Sequence, residues 1–277
     1  MAETMPACTV DSTSGAIVAA RRASRDVGQL FERALVVFTF IAAACFAFVA
    51  VAHLFDRAFI TYQAGSRMGL ALYAREGILY PPFVHEGFYG GTRMMPVPII
   101  LHAGISFVTG EFLGSGKLLT CLSYLALLAI AFRTMRSLGC SAARSAVLLI
   151  AVTVSAVGSC ASVTIACDPL AVALQLLALM LVARGRGRVA IVMAGLLCAL
   201  ALFSKLGAVW GVGAIGVWLW SRNRRALGSF LGVYLAASGL GFLLAQLASG
   251  GRFWQNVVAF SSSGVGGDGI GRMASQL

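Results

Sequence analysis

The chain has 277 residues, of which 59% are hydrophobic and only 11% charged, with a mean hydropathy of +0.89. Soluble domains run at about 45–50% apolar and about 25% charged residues, so this composition excludes a cytosolic enzyme, a disordered protein and a small disulfide scaffold. The net charge of +11, from 21 Lys+Arg against 10 Asp+Glu, comes in short basic clusters between apolar segments, the pattern of cytoplasmic membrane loops rather than of a nucleic-acid footprint.

Residues 1–33 read as a polar cytoplasmic tail carrying Arg21, Arg22, Arg25 and Arg33. The apolar run Ala34–Phe55 exceeds a signal-peptide core of about 7–15 residues and reads as an uncleaved first span with its amino terminus inside. Residues 56–117 form an outer loop. Its stretch from Asp56 to Tyr73 is expected to make an interfacial helix, and Tyr80-Pro81-Pro82 and Tyr89-Gly90-Gly91 break the rest of the loop into turns. Met94–Gly110 is apolar but short, and it contains Pro96, Pro98 and His102. Six more runs are candidate spans: Leu118–Phe132, Ser145–Val163, Pro169–Val182, Val189–Phe203, Leu206–Trp220 and Leu227–Ala248. The Gly- and Ser-rich residues 249–277 read as a flexible extracytoplasmic tail.

Parity orders these runs. Basic clusters stand at Arg21/Arg22/Arg25/Arg33, Arg133/Arg136/Arg144, Arg184/Arg186/Arg188 and Arg222/Arg224/Arg225. If all are cytoplasmic, an even number of crossings separates each pair. Two runs lie between the second and third clusters and two between the third and fourth. Three lie between the first and second, so one does not cross. The Pro-bearing 94–110 segment is the natural choice, either re-entrant or lying along the outer surface. The expectation is an all-α integral membrane protein of the cell membrane with about seven transmembrane helices, within the room that about 20 residues per span allows. Asp56, the outer loop, Asp168, Lys205 and the tail then share one extracytoplasmic face.

Few residues on that face could carry chemistry. Asp168 is the only acid between Glu111 and Asp268. Asp168-Pro169 suits a helix start, with Asp as N-cap and Pro at the first helical position, and is equally a carboxylate facing an outer cavity. Asp56 closes the first span as an interfacial charge, or as a base or metal ligand at the start of the outer loop, with Glu76 and Glu86 as rival acids. Lys205 is the only charge between Arg188 and Arg222. It is a snorkelling turn residue or a functional cation. Arg93 precedes Met94-Met95-Pro96 as an interface anchor or an anion contact. His53, His85 and His102 have no metal-ligand spacing. Most of the seven cysteines lie in or beside apolar segments and act as small hydrophobes. A Cys160–Cys167 disulfide is not expected. The glycines at 264–271 lack the strand and helix of a phosphate loop.

The order of these features resembles the GT-C superfamily of membrane glycosyltransferases. It is most similar to the branch with the lipid A aminoarabinose transferase and the protein O-mannosyltransferases. The residues that carry the resemblance are a span running into Asp56, an interfacial helix leading to Gly77-Ile78-Leu79-Tyr80, then Arg93 and Pro96, Asp168-Pro169-Leu170, and Ser204-Lys205-Leu206-Gly207 in a short hairpin. It covers roughly residues 30–250 and corresponds to the family's amino-terminal part. Many relatives carry Asp-Glu where this chain has Asp56-Arg57. The resemblance implies a polyprenyl-phosphate-linked sugar donor and a hydroxyl acceptor on a lipid, glycan or protein outside the cytoplasm. Asp56 is its first candidate base and Asp168 the second. Lys205 and Arg93 are the candidate cations for the leaving phosphate. A divalent metal could share that role, and no metal ligands are assigned. The rival expectation is a non-enzymatic transporter or flippase that binds an anionic lipid.

Overall fold

The computed structural model describes the chain over residues 11–56, 62–82, 84–85, 88–89, 94–155, 164–185 and 187–259. Among these residues the chain is a helical assembly with one minimal hairpin, in which β1 (Val84–His85) pairs antiparallel with β2 (Phe88–Tyr89). The helices are α1 (Asp11–Phe55), α2 (Tyr62–Arg75), α3 (Pro96–Thr109), α4 (Phe112–Ser137), α5 (Ala142–Val154), α6 (Asp168–Arg184), α7 (Arg188–Ser204), α8 (Trp210–Arg222) and α9 (Arg224–Ala248), followed by a π-helical turn at Trp254–Ala259.

Three segments are long and apolar enough to cross a bilayer: Gln29–Phe55 of α1, α4 and α9. At 1.5 Å per residue they reach about 38–40 Å, beyond the roughly 30 Å of hydrocarbon. Their outer surfaces carry exposed Phe38, Phe48, Leu122, Leu125, Leu243 and Leu247, an apolar coat that lipid satisfies and water does not. This is the surface of a membrane protein. The remaining helices of the bundle are shorter; α5 and α8 reach about 20 Å.

Helix boundaries depart from the sequence expectation in instructive ways. The expected polar tail is helical from Asp11 onward and continuous with the first span, because its Ala, Arg, Leu and Glu residues are good helix formers. α4 begins at Phe112 instead of Leu118 and so takes Lys117 into its second turn. α3 starts with Pro96 at the first helical position and Pro98 still in the first turn, where no intrahelical donor is lost. It ends at Gly110, whose φ of 71° is left-handed. At about 21 Å α3 is shorter than the three long apolar segments and close in length to α5 and α8.

α6 packs most extensively on α7, α7 on α9, and α4 on α6. Small residues permit these close approaches. A Cβ on Gly195 of α7 would come within 2.9 Å of Val233 of α9, and one on Gly241 of α9 within 2.5 Å of Phe203. Ala178, Ala194, Cys198, Ile215 and Phe230 fill one core cluster, the small-residue seam expected where membrane helices touch. A second cluster joins Tyr80, Met95, Ile99, Phe203, Ala245, Phe253 and Val257. The start of the expected flexible tail is therefore core. Phe253 and Val257 are buried, and Arg252 donates to the Tyr80 carbonyl (2.9 Å). The aromatic and β-branched residues of 253–258 outweigh the flanking glycines.

Candidate functional site

The ends of α1, α4, α6 and α7 meet at one end of the bundle. Asp56 follows the last turn of α1, and its amide donates to the Ala52 carbonyl (3.1 Å). Its carboxylate lies 3.7 Å from His53 Nδ1, and both side chains are about one-third exposed. A helix end leaves carbonyls without intrahelical donors and carries partial negative charge. Lys117 meets that need. Its Nζ donates to the His53 carbonyl (2.7 Å) and to the Asp56 carbonyl, and the residue is only 1% exposed.

One turn further along α4, Thr120 accepts from the Ala166 amide (2.9 Å). Arg67 of α2 donates to the neighbouring Ile165 carbonyl. The segment 165–167 is thus held from two sides as it enters α6. Asp168 then pairs with Lys205 at the end of α7, with the two side chains about half exposed. Asp168 is the first residue of α6 and Cys167 is the N-cap. The expectation of an N-cap aspartate is off by one, and no side-chain cap hydrogen bond forms. The carboxylate turns to Lys205 instead.

Burial pushes the Cys167 thiol above its ordinary pKa, and Asp168 adds to that; Arg67 and Lys205 pull the other way. The thiol therefore sits within the electrostatic reach of all three charged groups. Burial likewise raises the Tyr80 hydroxyl, which donates to the Met94 carbonyl (2.8 Å).

Two hollows adjoin these residues. One, of about 30 Å³, is lined by Arg67, Met95, His102, Thr120, Cys167 and Ser204 among others, which is room for about two waters. The Arg67 Nε beside it is buried without a hydrogen-bond partner among the described residues. The other is an open cleft of about 460 Å³ between the end of α1 and the start of α4, lined by Leu54, Phe55, Thr109, Glu111 and Leu118 among others. Only the second approaches ligand-pocket size, about 300–1,000 Å³.

Of the residues singled out from sequence, Asp168 and Lys205 touch, and Asp56 stands at the same end of the bundle through Lys117, Thr120 and Ala166. Arg93, Glu86 and Cys160 lie outside the described residues. His102 is buried in α3 and donates from Nε2 to the Phe112 carbonyl (2.8 Å), a helix-joining role. Among the described residues no group of three His, Cys, Asp or Glu side chains could hold a metal ion. Lys117 and Arg67 are the contributors that the sequence reading missed. A signal for Lys117 was present: only two of the 21 basic residues are lysine, Lys117 and Lys205, and both belong to this network. No protein-family model, curated protein or solved structure matches the chain.

Proposed function

We propose that the chain is a multi-pass membrane glycosyltransferase of the GT-C type. In this reading it moves a sugar from a polyprenyl-phosphate-linked donor to an acceptor hydroxyl at the outer face. The observation that carries it is the gathering of Asp56, Asp168 and the only two lysines at one end of the bundle; on the α1–α4 side of that end, the chain neighbours of Asp56 and Lys117 line a cleft of about 460 Å³. The about seven spans and the amino-terminus-inside orientation belong to the same proposal. They are supported by the way long-range contacts join residues of equal expected sidedness: Lys117 with Asp56, Arg67 with Ile165, Arg252 with Tyr80, and Arg184 with Arg133.

The chemistry rests on the residue types. Asp56 takes the acceptor proton as the acceptor oxygen bonds to the anomeric carbon. The bond from that carbon to the phosphate oxygen breaks, and its electron pair leaves with the lipid phosphate. Lys205 and Arg93 stabilise the charge that grows there. Asp168 holds Lys205 at the end of α7 until a phosphate competes for it, and is the alternative base. Asp56→Asn and Asp168→Asn, assayed in proteoliposomes with labelled polyprenyl-phosphate sugars, should each lower transfer by about 10²–10⁴-fold. Full transfer by both variants rules out the carboxylate mechanism.

The apolar lining of the cleft favours one second reading, a lipid-carrying protein without transfer chemistry. The same variants separate the two: a carrier keeps moving lipid and never transfers sugar.

A further inference from the structure

The opposite end of the bundle has its own chemistry. Arg184 of α6 donates to the Arg133 carbonyl of α4 (2.8 Å), so these two guanidinium-bearing residues meet where both helices finish. Tyr124 of α4 bonds Thr153 of α5 (3.3 Å), which brings the start of α5, with Arg144, to the same end. Gly195 of α7 lies against Val233 and Phe230 of α9, so Arg188 and Arg224, each at the start of its helix, stand at one level. Gln175 of α6 accepts from the Gly211 amide of α8, and both helices run on from there toward Arg184 and Arg222.

Helices α4 to α9 bring no acid to this end. Their single acid, Asp168, is at the other. None of these arginines has an ion pair among the described residues. The first turns of α5, α7 and α9 contain no acid either, although arginine beside a helix N-terminus opposes the helix dipole. Arginines without an acid on any of the six helices α4 to α9 at this end favour an anionic partner.

The surroundings specify which. The Arg222 guanidinium lies 4.8 Å from the Trp218 ring and that of Arg224 lies 4.9 Å from the Trp220 ring, and Trp220 is exposed. Exposed Leu138 and Val189 stand beside the arginines at 136 and 188. Arginine suits phosphate oxygens in a bidentate way, tryptophan favours the headgroup level, and exposed aliphatic side chains suit acyl chains. A nucleic acid would leave those aliphatic groups in water.

We propose that this end is a binding surface for anionic phospholipids, with Arg133, Arg184, Arg188 and Arg224 as its principal headgroup contacts. The surface does not depend on the transferase reading.

The test uses the full chain in nanodiscs of phosphatidylcholine containing about one-third phosphatidylglycerol, with bound lipid counted by native mass spectrometry after detergent extraction. Phosphatidylglycerol should be retained over phosphatidylcholine, with about a fivefold loss for each arginine changed to glutamine. Arg→Lys at the same four positions keeps the charge and loses the fork, so it should lose less of the preference than the glutamine set. In the wild type, high salt during extraction should erase it, which provides a readout if the glutamine set does not insert. Equal retention of the two lipids by the wild type overturns the proposal. So does equal phosphatidylglycerol retention by the wild type and the glutamine set, or displacement of the lipid by a short RNA.

Discussion

Lys117→Met isolates the contribution of one buried ammonium. Methionine keeps most of the side-chain length and removes the donor to the His53 and Asp56 carbonyls. Hydrogen bonds to a charged group contribute about 1.5–3 kcal/mol each, so two give about 3–6 kcal/mol. Asp56 is partly exposed, so water recovers some of the loss, and about 3 kcal/mol is the expected cost. α1 is vulnerable because little of its span is buried within the protein, and among the described residues it packs chiefly on α5 and less on α4. For a chain of this size about 3 kcal/mol lowers Tm by about 6–12 °C. Thermal unfolding in nanodiscs, followed by tryptophan fluorescence, measures it. A thiol at Leu54 should also become more accessible to a bulky maleimide. A Tm within a degree of wild type, with unchanged Leu54 accessibility, refutes the reasoning and makes the contact to α1 energetically silent.

The Asp168–Lys205 pair should behave differently. Both side chains are about half exposed, so Lys205→Ala should cost under about 1 kcal/mol of stability while impairing transfer; a loss above about 2 kcal/mol in denaturant titration assigns the pair to stability instead. In a chain retaining only Cys167, maleimide labelling should be slow at neutral pH and accelerate as pH rises, because burial holds the thiol protonated beyond its ordinary range. The same shift means that Cys167 favours the folded state in its protonated form and that this contribution fades as pH rises through the raised pKa. Lys205→Ala should slow the labelling further and Asp168→Asn should speed it, and the reverse order contradicts the charge arrangement. Finally, membrane-impermeant reagents applied from outside should modify single cysteines placed at Glu111 and Thr164 but not at Arg136 or Arg184. Outside labelling at Arg136 requires residues 94–110 to cross.

Composition and hydropathy alone establish that this chain lives in a bilayer, because lipid and water differ so strongly as solvents that side-chain character reports them directly. The apolar character of Gln29–Phe55, α4 and α9 was legible for that reason, as was the standing of Asp168 and Lys205 as isolated charges in apolar surroundings. What joined those two was tertiary: they are 37 positions apart, and only the antiparallel contact of α6 with α7 makes them a pair. Lys117 shows the limit most clearly. In sequence it is a polar residue just before an apolar run, and nothing local says that the end of α1, 61 positions earlier, presents unpaired carbonyls to it. Residues 253–257 make the same point in reverse. Their flanking glycines suggest a loop, and they become core because Tyr80 and Met95, far away in the chain, offer an apolar surface to cover. Local pattern reports which solvent each residue prefers, whereas a site is built from pairs of residues whose distance along the chain carries no information about their distance in space.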